Sequence, residues 1–402
     1  MKDTVNAGRS LYWTTGGAPV KYHWIDEDLT GAVAVVGGGI AGAMLTLTLA
    51  RAGHDVILIS ERPIGHGATA SAMGVVSGQS GGLFTALVEK AGFEAAQCLW
   101  ARCQSALGQL DELVQSTAQE IGYTACDALL YTDCPDRAES LNAELNARQR
   151  AGFSAVSLNT AAARAFPFAV SSGILSAGTA RLCNPYLLTH ALCSSAVAAG
   201  ARIFENTTVR SIGKQDGLYT LHTNEGQTVR CPQVALTTGL SESAPLDGLV
   251  HSHTAFTVVS PPLGNPGLPG AIQSACGLRA RGTPDGRIML SGLDCSLSGG
   301  LNGLLPTKRL RQKKLAELKE RLWSLFPVTT GLEPEFSYCH DYACTLDGLP
   351  VIGSYDDALY YVLCTGDNGV AHAVLAAELM SSELNGTPDH DMDWFAPDRE
   401  GE

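Results

Sequence analysis

Three glycines and one acidic residue have the types and spacing that hold a dinucleotide. Gly37, Gly39 and Gly42 follow a β-branched run, and Glu61 comes nineteen residues after Gly42. The first glycine allows a sharp turn, the second lets backbone N–H groups approach a pyrophosphate, and the third lets a helix pack against a sheet. Glu61 would bond the hydroxyls of an adenosine ribose, and its charge would repel a 2′-phosphate. The pattern therefore predicts a dinucleotide site that disfavours NADP.

A strand, a helix and a second strand must position these residues. The β-branched run 33–36 predicts the first strand, the apolar segment up to Gly53 predicts the helix, and 56–59 predicts the second strand. The N-terminus of the helix would offer unpaired N–H groups and its positive dipole end to the phosphates. The alternative is a glycine-rich turn between packed elements, without a ligand.

Length and composition indicate an ordinary globular protein and argue against several partners. A chain of 402 residues is long enough for two or three domain-sized units. The net charge is −13 and the 27 basic residues are scattered, so we expect no nucleic-acid partner. The sequence has no long apolar run and its N-terminus lacks a signal-peptide pattern, so we expect no membrane span and a cytoplasmic location.

The twelve cysteines occur singly, without a C-x-x-C pair. Metal and redox motifs commonly use such paired spacing, so we predict no bound metal and no disulfide framework. In a reducing compartment, most of these cysteines would be small residues of the core.

A segment rich in small residues follows Glu61. Residues 62–82 contain six glycines and few large apolar side chains. Such a segment cannot bury one face as an amphipathic helix from end to end. Small side chains instead allow close approach to a ligand. We therefore expect the segment to contact the remainder of the same cofactor, namely a ribityl chain and a flat ring.

Within this segment, GHGATASAMG (65–74) resembles the G-x-G-A-S-x-x-x-x-G motif of FAD-dependent oxidoreductases of the D-amino-acid oxidase and glycine oxidase superfamily. Thr69 stands where these proteins usually have serine. The N-terminal SLYW (10–13) most resembles the γ-glutamylputrescine-oxidase-type amine oxidases. The resemblance implies an α/β fold with a Rossmann-type FAD-binding domain built from discontinuous segments. It also implies an α+β substrate domain with a mostly antiparallel sheet flanked by helices.

The predicted elements follow this layout along the chain. A helical pattern over 83–122 opens the substrate domain, and a hairpin at 283–286 lies in its second part. A helix after Pro185, a strand ending near Ile212 and a strand closing on Gly239 return the chain to the FAD-binding domain. We expect an N-terminal arm at 1–30, an FAD-binding domain formed by 31–85, 165–245 and 336–402, and a substrate domain formed by 86–164 and 246–335.

Two motifs near the C-terminus extend the resemblance. TLDGLPVIG (345–353) resembles T-P-D-G-L-P-V-I-G, and TGDNGVAH (365–372) resembles G-H-G-G-x-G, with Asp367 where histidine is usual. N–H groups at the start of the following helix would face the flavin pyrimidine O2. The residues expected to bind FAD are Gly37, Gly39, Ile40, Ala41, Gly42, Glu61, Arg62, Gly67, Ala68, Thr69, Gly74, Val75, Val209, Gly239, Gly366, Asp367, Asn368, Gly369 and Val370.

The resemblance also implies a reaction. Hydride passes from a carbon that bears nitrogen to flavin N5, the resulting imine is hydrolysed, and oxygen or another acceptor reoxidises the flavin. Relatives that take amino acids clamp the carboxylate with an arginine of the substrate domain, because guanidinium geometry suits it. Arg279 and Arg281 are our candidates, ahead of Arg287. A surface ion pair on a hairpin is the alternative for each.

Three further residues are candidates for catalysis because relatives place such positions near the flavin ring, namely His253, His340 and Tyr342. A purely structural role is the alternative for each histidine. Some relatives attach flavin covalently through a cysteine shortly before the LDG turn, and Cys339 lies close to that position. Burial in the core is the role we favour for this thiol, so we expect FAD to be non-covalent.

Two other functions stay open at this point. TGDNGVAH also resembles the GD segment of class A flavin monooxygenases, and a protein can retain FAD without oxidising amines. The leading hypothesis is an FAD-dependent enzyme that oxidises a C–N bond of an amine or amino acid. The sequence leaves open the substrate, the choice between oxygen and another electron acceptor, and the oligomeric state.

Overall fold

A computed structural model gives the fold of most of the chain. It describes residues 6–17, 19–80, 82–117, 120–164, 166–239, 249–265, 267–268, 270–296, 307–356, 358–366 and 368–399. The α-helices of these residues are α1 (Leu11–Thr15), α2 (Ile40–Arg51), α3 (Ala68–Ser71), α4 (Phe84–Ala91), α5 (Phe93–Gln115), α6 (Ala138–Arg150), α7 (Thr160–Ala163), α8 (Pro185–Ala198), α9 (Lys308–Leu325) and α10 (Gly369–Leu384). Among these helices, none is both long and apolar enough to cross a lipid bilayer.

The strands of the same residues form three sheets. They are β1 (Asn6–Ala7), β2 (Leu29–Thr30), β3 (Val33–Val36), β4 (Val56–Ile59), β5 (Val75–Ser77), β6 (Thr124–Thr132), β7 (Val156–Ser157), β8 (Ser172–Leu182), β9 (Arg202–Phe204), β10 (Val209–Gln215), β11 (Leu218–Thr223), β12 (Thr228–Cys231), β13 (Gln233–Leu236), β14 (Val250–Val259), β15 (Ala271–Ser274), β16 (Arg279–Gly282), β17 (Ile288–Ser296), β18 (Phe336–Thr345), β19 (Val351–Asp356) and β20 (Leu359–Leu363).

The first sheet is the parallel one that the glycine motif predicts. In the described part of the chain it has the order β19-β20-β13-β3-β4-β9, and β19–β20 is its antiparallel pair. All residues of β3 and β4 are buried, as expected for strands covered on both faces. Helices α2, α8 and α10 pack on one face, and the small sheet β10-β11-β12-β2 covers the other.

Helix α2 directs its N-terminus to the carboxyl end of β3. Gly39 is its N-cap, and its apolar side chains pack against α8 and α10. Leu45, Leu47 and Leu49 are each at most 1% exposed. Packing on nearly every side of the helix fixes the direction of its axis. The N–H groups of its first turn are therefore held in place beside the strand end.

The large sheet is mostly antiparallel, as the resemblance implied. Its order within the described residues is β1-β18-β14-β17-β16-β15-β6-β8-β5, with β7 paired to β8 and a parallel contact between β6 and β15. Helix α9 covers one face, where Leu318 and Leu322 are buried with Phe256 and Leu290. Alternate residues along each strand point to the opposite face.

The predicted fold class is confirmed, and two predicted elements are wrong in detail. The helical pattern over 83–122 forms two helices, α4 and α5, because Gly92 between them has φ +80°. The strand expected to end near Ile212 is two strands, β9 and β10. The predicted hairpin at 283–286 is confirmed, since the N–H of Gly286 donates to the carbonyl oxygen of Thr283 between β16 and β17.

The predicted domain limits stay a prediction, and several elements connect the ranges assigned to each domain. Strands β5, β8 and β18 come from ranges assigned to the FAD-binding domain and pair within the large sheet. Helix α5 comes from a range assigned to the substrate domain and packs against α10. In the expected N-terminal arm, β1 pairs with β18, and Leu11 and Tyr12 of α1 are buried.

Asp341 on β18 is a buried carboxyl with little to stabilise its charge. It is 1% exposed, its Oδ1 accepts a hydrogen bond from Thr254 Oγ1, and its Oδ2 has no partner among the described residues. Burial raises the pKa of Asp341 to about 6. An unfolded aspartate titrates at about pH 3.9. The folded state therefore holds a proton that the unfolded state releases, and this residue makes stability fall as pH rises from about 4 to about 6.

We expect Asp341→Asn to stabilise the protein above about pH 6 and to have little effect near pH 4. Asparagine keeps an oxygen acceptor for Thr254 and removes the charge. The gain near neutral pH would be about 3 kcal/mol in free energy of unfolding. Calorimetry at both pH values measures it, with the exposed Asp26→Asn as control. Equal shifts at both pH values would contradict titration of Asp341 in this range.

Candidate cofactor and substrate site

One large cavity joins the parallel sheet to the large antiparallel sheet. Its volume is about 360 Å³, and it begins at the carboxyl ends of β3 and β4 and extends along β6, β15 and β18. In open α/β sheets, ligands bind outside the carboxyl ends of the parallel strands. The cavity therefore lies where the glycine motif predicts a ligand, and it continues onto a second surface.

The loop between β3 and α2 is packed too tightly for added side chains. A Cβ on Gly42 would overlap the carbonyl oxygen of Gly37, and a Cβ on Gly37 would lie 2.5 Å from Thr237 Oγ1. The φ of Gly37 is +127°, which glycine adopts without strain. Thr237 Oγ1 lies 3.0 Å from the carbonyl oxygens of Val36 and Gly37 and donates to them. Thr237 therefore fixes the loop backbone, which the motif did not reveal.

The first turn of α2 faces the cavity with Ile40 and Ala41. The N–H of Ile40 donates to Thr69 Oγ1 at 3.2 Å. This bond connects the glycine loop to the small-residue segment. The acceptor is the hydroxyl of Thr69, and the serine that is usual at this position in the motif also has a hydroxyl. The oriented N–H groups and the helix dipole favour an anion at this point.

Two charged residues follow β4 at the rim of the cavity. Glu61 is exposed, Arg62 is partly buried, and both line the cavity. Ser60 Oγ donates to the carbonyl oxygen of Arg62 at 2.6 Å and so closes a turn here. The Glu61 carboxylate therefore stands just beyond the second parallel strand, where an acid bonds the ribose of a dinucleotide.

Asn368 joins the start of α10 to β5. The N–H of Ser77 donates to Asn368 Oδ1 at 2.9 Å, and Asn368 Nδ2 donates to the carbonyl oxygen of Ser77 at 2.8 Å. The side chain does not cap its own helix. The N–H groups at the start of α10, next to Gly369 and Val370, are therefore directed at the cavity that these residues line.

The cavity brings together residues from widely separated parts of the sequence. Gly42 packs under the loop, outside the lining, and Asp367 lies outside the described residues. The predicted cofactor residues that line the cavity are Gly37, Gly39, Ile40, Ala41, Glu61, Arg62, Gly67, Ala68, Thr69, Gly74, Val75, Val209, Gly239, Gly366, Asn368, Gly369 and Val370.

These features fit an adenine dinucleotide cofactor. The glycine loop has no room for a Cβ at Gly37 or Gly42, two helix N-termini face the cavity, and Glu61 stands beyond the second strand. Together they provide N–H donors for phosphate and an acceptor for ribose hydroxyls.

Polar residues also line the cavity on the large sheet. Arg279 Nη2 lies 2.8 and 2.7 Å from the two carboxylate oxygens of Asp294, and Tyr342 OH donates to Asp294 Oδ2 at 2.7 Å. Arg279 and Tyr342 both line the cavity, and their role toward a substrate stays a prediction. Asp294 offsets the charge of Arg279. Sequence reasoning missed Asp294 because it belongs to no motif and reaches this place only through strand pairing.

The candidate histidines occupy different places. His340 lines the cavity and is 8% exposed, and burial lowers its pKa to about 4, so it is neutral at pH 7. Its Nδ1 has no hydrogen-bond partner among the described residues. His253 lies outside the lining, with its ring 6.0 Å from that of Tyr342 and 5.0 Å from that of His251. Burial lowers the pKa of His253 as well.

Arg281, a predicted substrate contact, lies outside the cavity lining and is bonded to the backbone. It is 1% exposed. Its Nη1 donates to the carbonyl oxygens of Met73 at 3.2 Å, Gly74 at 2.5 Å and Cys183 at 3.0 Å, and its Nε donates to that of Gly282 at 3.0 Å. These bonds hold the turn before β5. The structure therefore places Arg281 as a positioning residue.

Cys339 packs on the other face of the large sheet. It is 1% exposed and lies in the core with Phe256 and with Leu318 of α9, outside the cavity lining. Burial raises the pKa of its thiol to about 11, which keeps the sulfur protonated and unreactive. This placement agrees with a core role for the cysteine.

His251, His253 and Cys344 form a cluster that the cysteine spacing did not signal. His251 and Cys344 are paired across β14 and β18, and one ligand atom from each of the three residues lies within 4.8 Å of the others. The positive charge of Lys90 lies near both histidines and, with burial, lowers their pKa. That charge also opposes a bound cation, so we assign no metal to the cluster.

The parallel sheet, its glycine loop and the acid beyond β4 define a dinucleotide-binding protein whose cavity reaches a second, antiparallel sheet. The family model for FAD dependent oxidoreductases (DAO) matches residues 32–383, and the chain belongs to this family. The dinucleotide of this site is therefore FAD. The finer resemblance to γ-glutamylputrescine-oxidase-type enzymes stays a prediction.

Solved structures share this fold. Glycine oxidase from Geobacillus kaustophilus matches with a TM-score of 0.78 at 20% identity, covering 92% of this chain and 99% of that one. L-amino acid deaminase from Proteus vulgaris, solved without its specific insertion sequence, matches with a TM-score of 0.76 at 16% identity, covering 96% and 97%. At these identities the likeness shows a common fold.

A curated relative matches by sequence over part of its length. It is a protein of Bacillus subtilis (strain 168) that carries the provisional name Rieske 2Fe-2S iron-sulfur protein YhfW, and it is 23% identical over 203 residues. The match covers 50% of this chain and 39% of that protein. The chain thus aligns with well under half of that relative.

We expect Gly42→Ala to weaken FAD binding at least about tenfold, because the added methyl group would displace the Gly37 carbonyl and the phosphate-binding loop. Equilibrium dialysis followed by flavin absorbance measures the loss. Gly108→Ala on α5 is the matched control, since a Cβ there meets no atom within 4 Å. Helix propensity predicts that this control is stabilised by up to about 1 kcal/mol. Unchanged FAD affinity in Gly42→Ala would contradict the assigned role of the loop.

Proposed function

We propose that this FAD-dependent oxidoreductase oxidises a C–N bond of an amine or amino acid to an imine, with oxygen or another acceptor reoxidising the flavin. The observation that carries the proposal is the single cavity. It joins the residues expected to hold FAD to a polar wall formed by Arg279, His340, Asp341 and Tyr342; Asp294 lies outside the lining and is bonded to Arg279 and Tyr342. A substrate on that wall would face the part of the cofactor that accepts electrons.

The solved structures that share the fold support an amine substrate. By their names, one is a glycine oxidase and the other an L-amino acid deaminase, so both act on amino acids. The same fold can carry different reactions. The proposal therefore also depends on the groups that this chain places in the cavity.

FAD supplies the electron-accepting ring when it is bound, and the protein supplies binding, orientation and electrostatics. We propose that Glu61 binds the adenosine ribose, that the loop at Gly37 and Gly39 with the first turn of α2 binds the pyrophosphate, and that Gly74 and Val75 lie along the ring. Each of these residues lines the cavity.

The wall on the large sheet suits a neutral amine. Oxidation requires a nitrogen with a free lone pair, so the substrate must lose its ammonium proton before it reacts. His340 is neutral at pH 7 and offers an unprotonated ring nitrogen that accepts an N–H of the substrate. Asp294 offsets the charge of Arg279, while Asp341, which also lines the cavity and whose pKa burial raises to about 6, carries a negative charge at pH 7.

Anaerobic mixing with candidate substrates tests the proposal. We expect at least one compound from a panel of amino acids, N-methyl amino acids and polyamine derivatives to bleach the visible absorbance of bound FAD, with formation of the matching carbonyl product. Alcohols of the same size serve as controls. Bleaching by alcohols alone would overturn the proposal. Bleaching by NADPH without any amine would instead support a flavin monooxygenase.

We expect His340→Gln to slow flavin reduction by the best amine at least about tenfold, because the variant loses the neutral ring nitrogen at the cavity wall. FAD content should stay at the level of the original protein. His253→Gln is the matched comparison, since His253 lies on the neighbouring strand and outside the lining. Its effect should be less than about threefold. If stopped-flow reduction shows similar effects for the two substitutions, His340 has no specific role at the substrate site.

A further inference from the structure

One buried arginine lines the cavity and lies outside every sequence motif. Arg148 on α6 is 2% exposed, yet it lines the cavity. Its Nε donates to Glu144 Oε1 at 2.6 Å, and its Nη1 donates to Gln79 Oε1 at 2.9 Å. The guanidinium also lies 5.0 Å from the ring centroid of Trp100. Three side chains therefore fix its orientation.

The carboxylate of Glu144 is turned away from the cavity. It is fully buried, lies outside the lining, and accepts bonds from the N–H of Phe84 at 2.8 Å and from the N–H and hydroxyl of Thr85 at 2.9 and 2.7 Å. These donors belong to the start of α4. Glu144 is thus held by the backbone, and it in turn holds Arg148 with one edge of the guanidinium toward the cavity.

One donor group beside Arg148 has no partner among the described residues. Arginine has only donors, so the Gln79 atom that faces Arg148 must be the carbonyl oxygen, and the amide Nε2 points elsewhere. That Nε2 is buried and has no partner among the described residues. The hydrogen bonds of Arg148 use its Nε and Nη1. Because a buried donor without an acceptor is unfavourable, Gln79 Nε2 favours a ligand that supplies one.

The arginines predicted to clamp a carboxylate are engaged elsewhere. Arg281 is bonded to backbone carbonyl oxygens, and Arg279 is bonded by both carboxylate oxygens of Asp294. A substrate carboxylate at Arg279 would also meet the negative charge of Asp294. The acid bonded to Arg148 is Glu144, whose carboxylate lies outside the cavity lining and accepts bonds from the start of α4.

We propose that Arg148 and Gln79 form an anion subsite that binds the carboxylate of the substrate. The inference rests on the proposed function and narrows its substrate class to amino acids or other amines that carry a carboxylate. Arg148 supplies the charge and Gln79 supplies a second N–H donor, which together match the two oxygens of a carboxylate. His340 lines the same cavity and would accept an N–H of the amine.

Ligand binding without turnover tests the subsite. The probes are acetate and benzoate, with acetamide and benzamide as uncharged controls, added to the oxidised FAD-bound protein. Difference spectra of the flavin and titration calorimetry report binding. We expect the carboxylates to bind at least about tenfold more tightly than the amides. Equal binding of acids and amides would overturn the proposal.

Two variants test the residues. Gln79→Met removes the amide at similar volume, and Arg148→Lys keeps a positive charge for Glu144 but loses the planar fork. We expect each to weaken carboxylate binding at least about tenfold at unchanged FAD content. Arg150→Lys, exposed on the same helix, is the matched control and should bind carboxylates as before.

The possible results distinguish a failure of this inference from a failure of the proposed function. Loss of FAD in Gln79→Met and Arg148→Lys, in step with loss of carboxylate binding, would show that the donors serve the cofactor and would overturn the subsite. Unchanged carboxylate affinity in both variants would also overturn the subsite. If no amine bleaches the flavin while the carboxylates still bind through Arg148, the proposed function fails and the subsite stands.

Discussion

A buried guanidinium joins the two sides of the cavity, and the rest of the site depends on it. Arg281 extends from β16 of the large sheet and donates to Met73, Gly74 and the end of β8 at Cys183. A guanidinium carries five donors in a rigid fork, so one side chain can fix several carbonyl groups at once. Together with the bonds between Asn368 and Ser77, it sets the distance between the cofactor segment and the opposite wall.

Two arginines that line the cavity each form an ion pair with an acid outside the lining. Arg279 is bonded to Asp294, which is bonded in turn to Tyr342. Arg148 is bonded to Glu144, which is bonded in turn to the start of α4. Burial of an ion pair adds little net stability. The value of these pairs lies in orienting the charged groups.

The residues expected at the cofactor could be predicted from the sequence, whereas most of the polar residues around the substrate part of the cavity could not. The glycine loop, Glu61 and the start of α10 act through the backbone or through local spacing, which the order of residues directly encodes. Asp294 and Arg148 reach their places through pairing of distant strands and packing of α6, and no local pattern records that. Gln79 lies in the small-residue segment, whose pattern predicts contact with a ligand but does not single out this side chain. Arg281 shows the same limit, because its position on β16 suggested a clamp while its burial makes it a backbone support.

The pairing of β1 with β18 has a consequence for how the cavity is completed. Asn6 and Ala7 pair with His340 and Cys339, more than three hundred residues away in sequence. Closing a loop of this length costs conformational entropy, which the contacts between β1 and β18 must offset. The strand that bears His340 and Tyr342 is therefore covered along its outer edge only when most of the chain is already in place. An incompletely folded chain would expose that edge and lack the wall, so a cavity ready for substrate is itself evidence that the whole protein has folded.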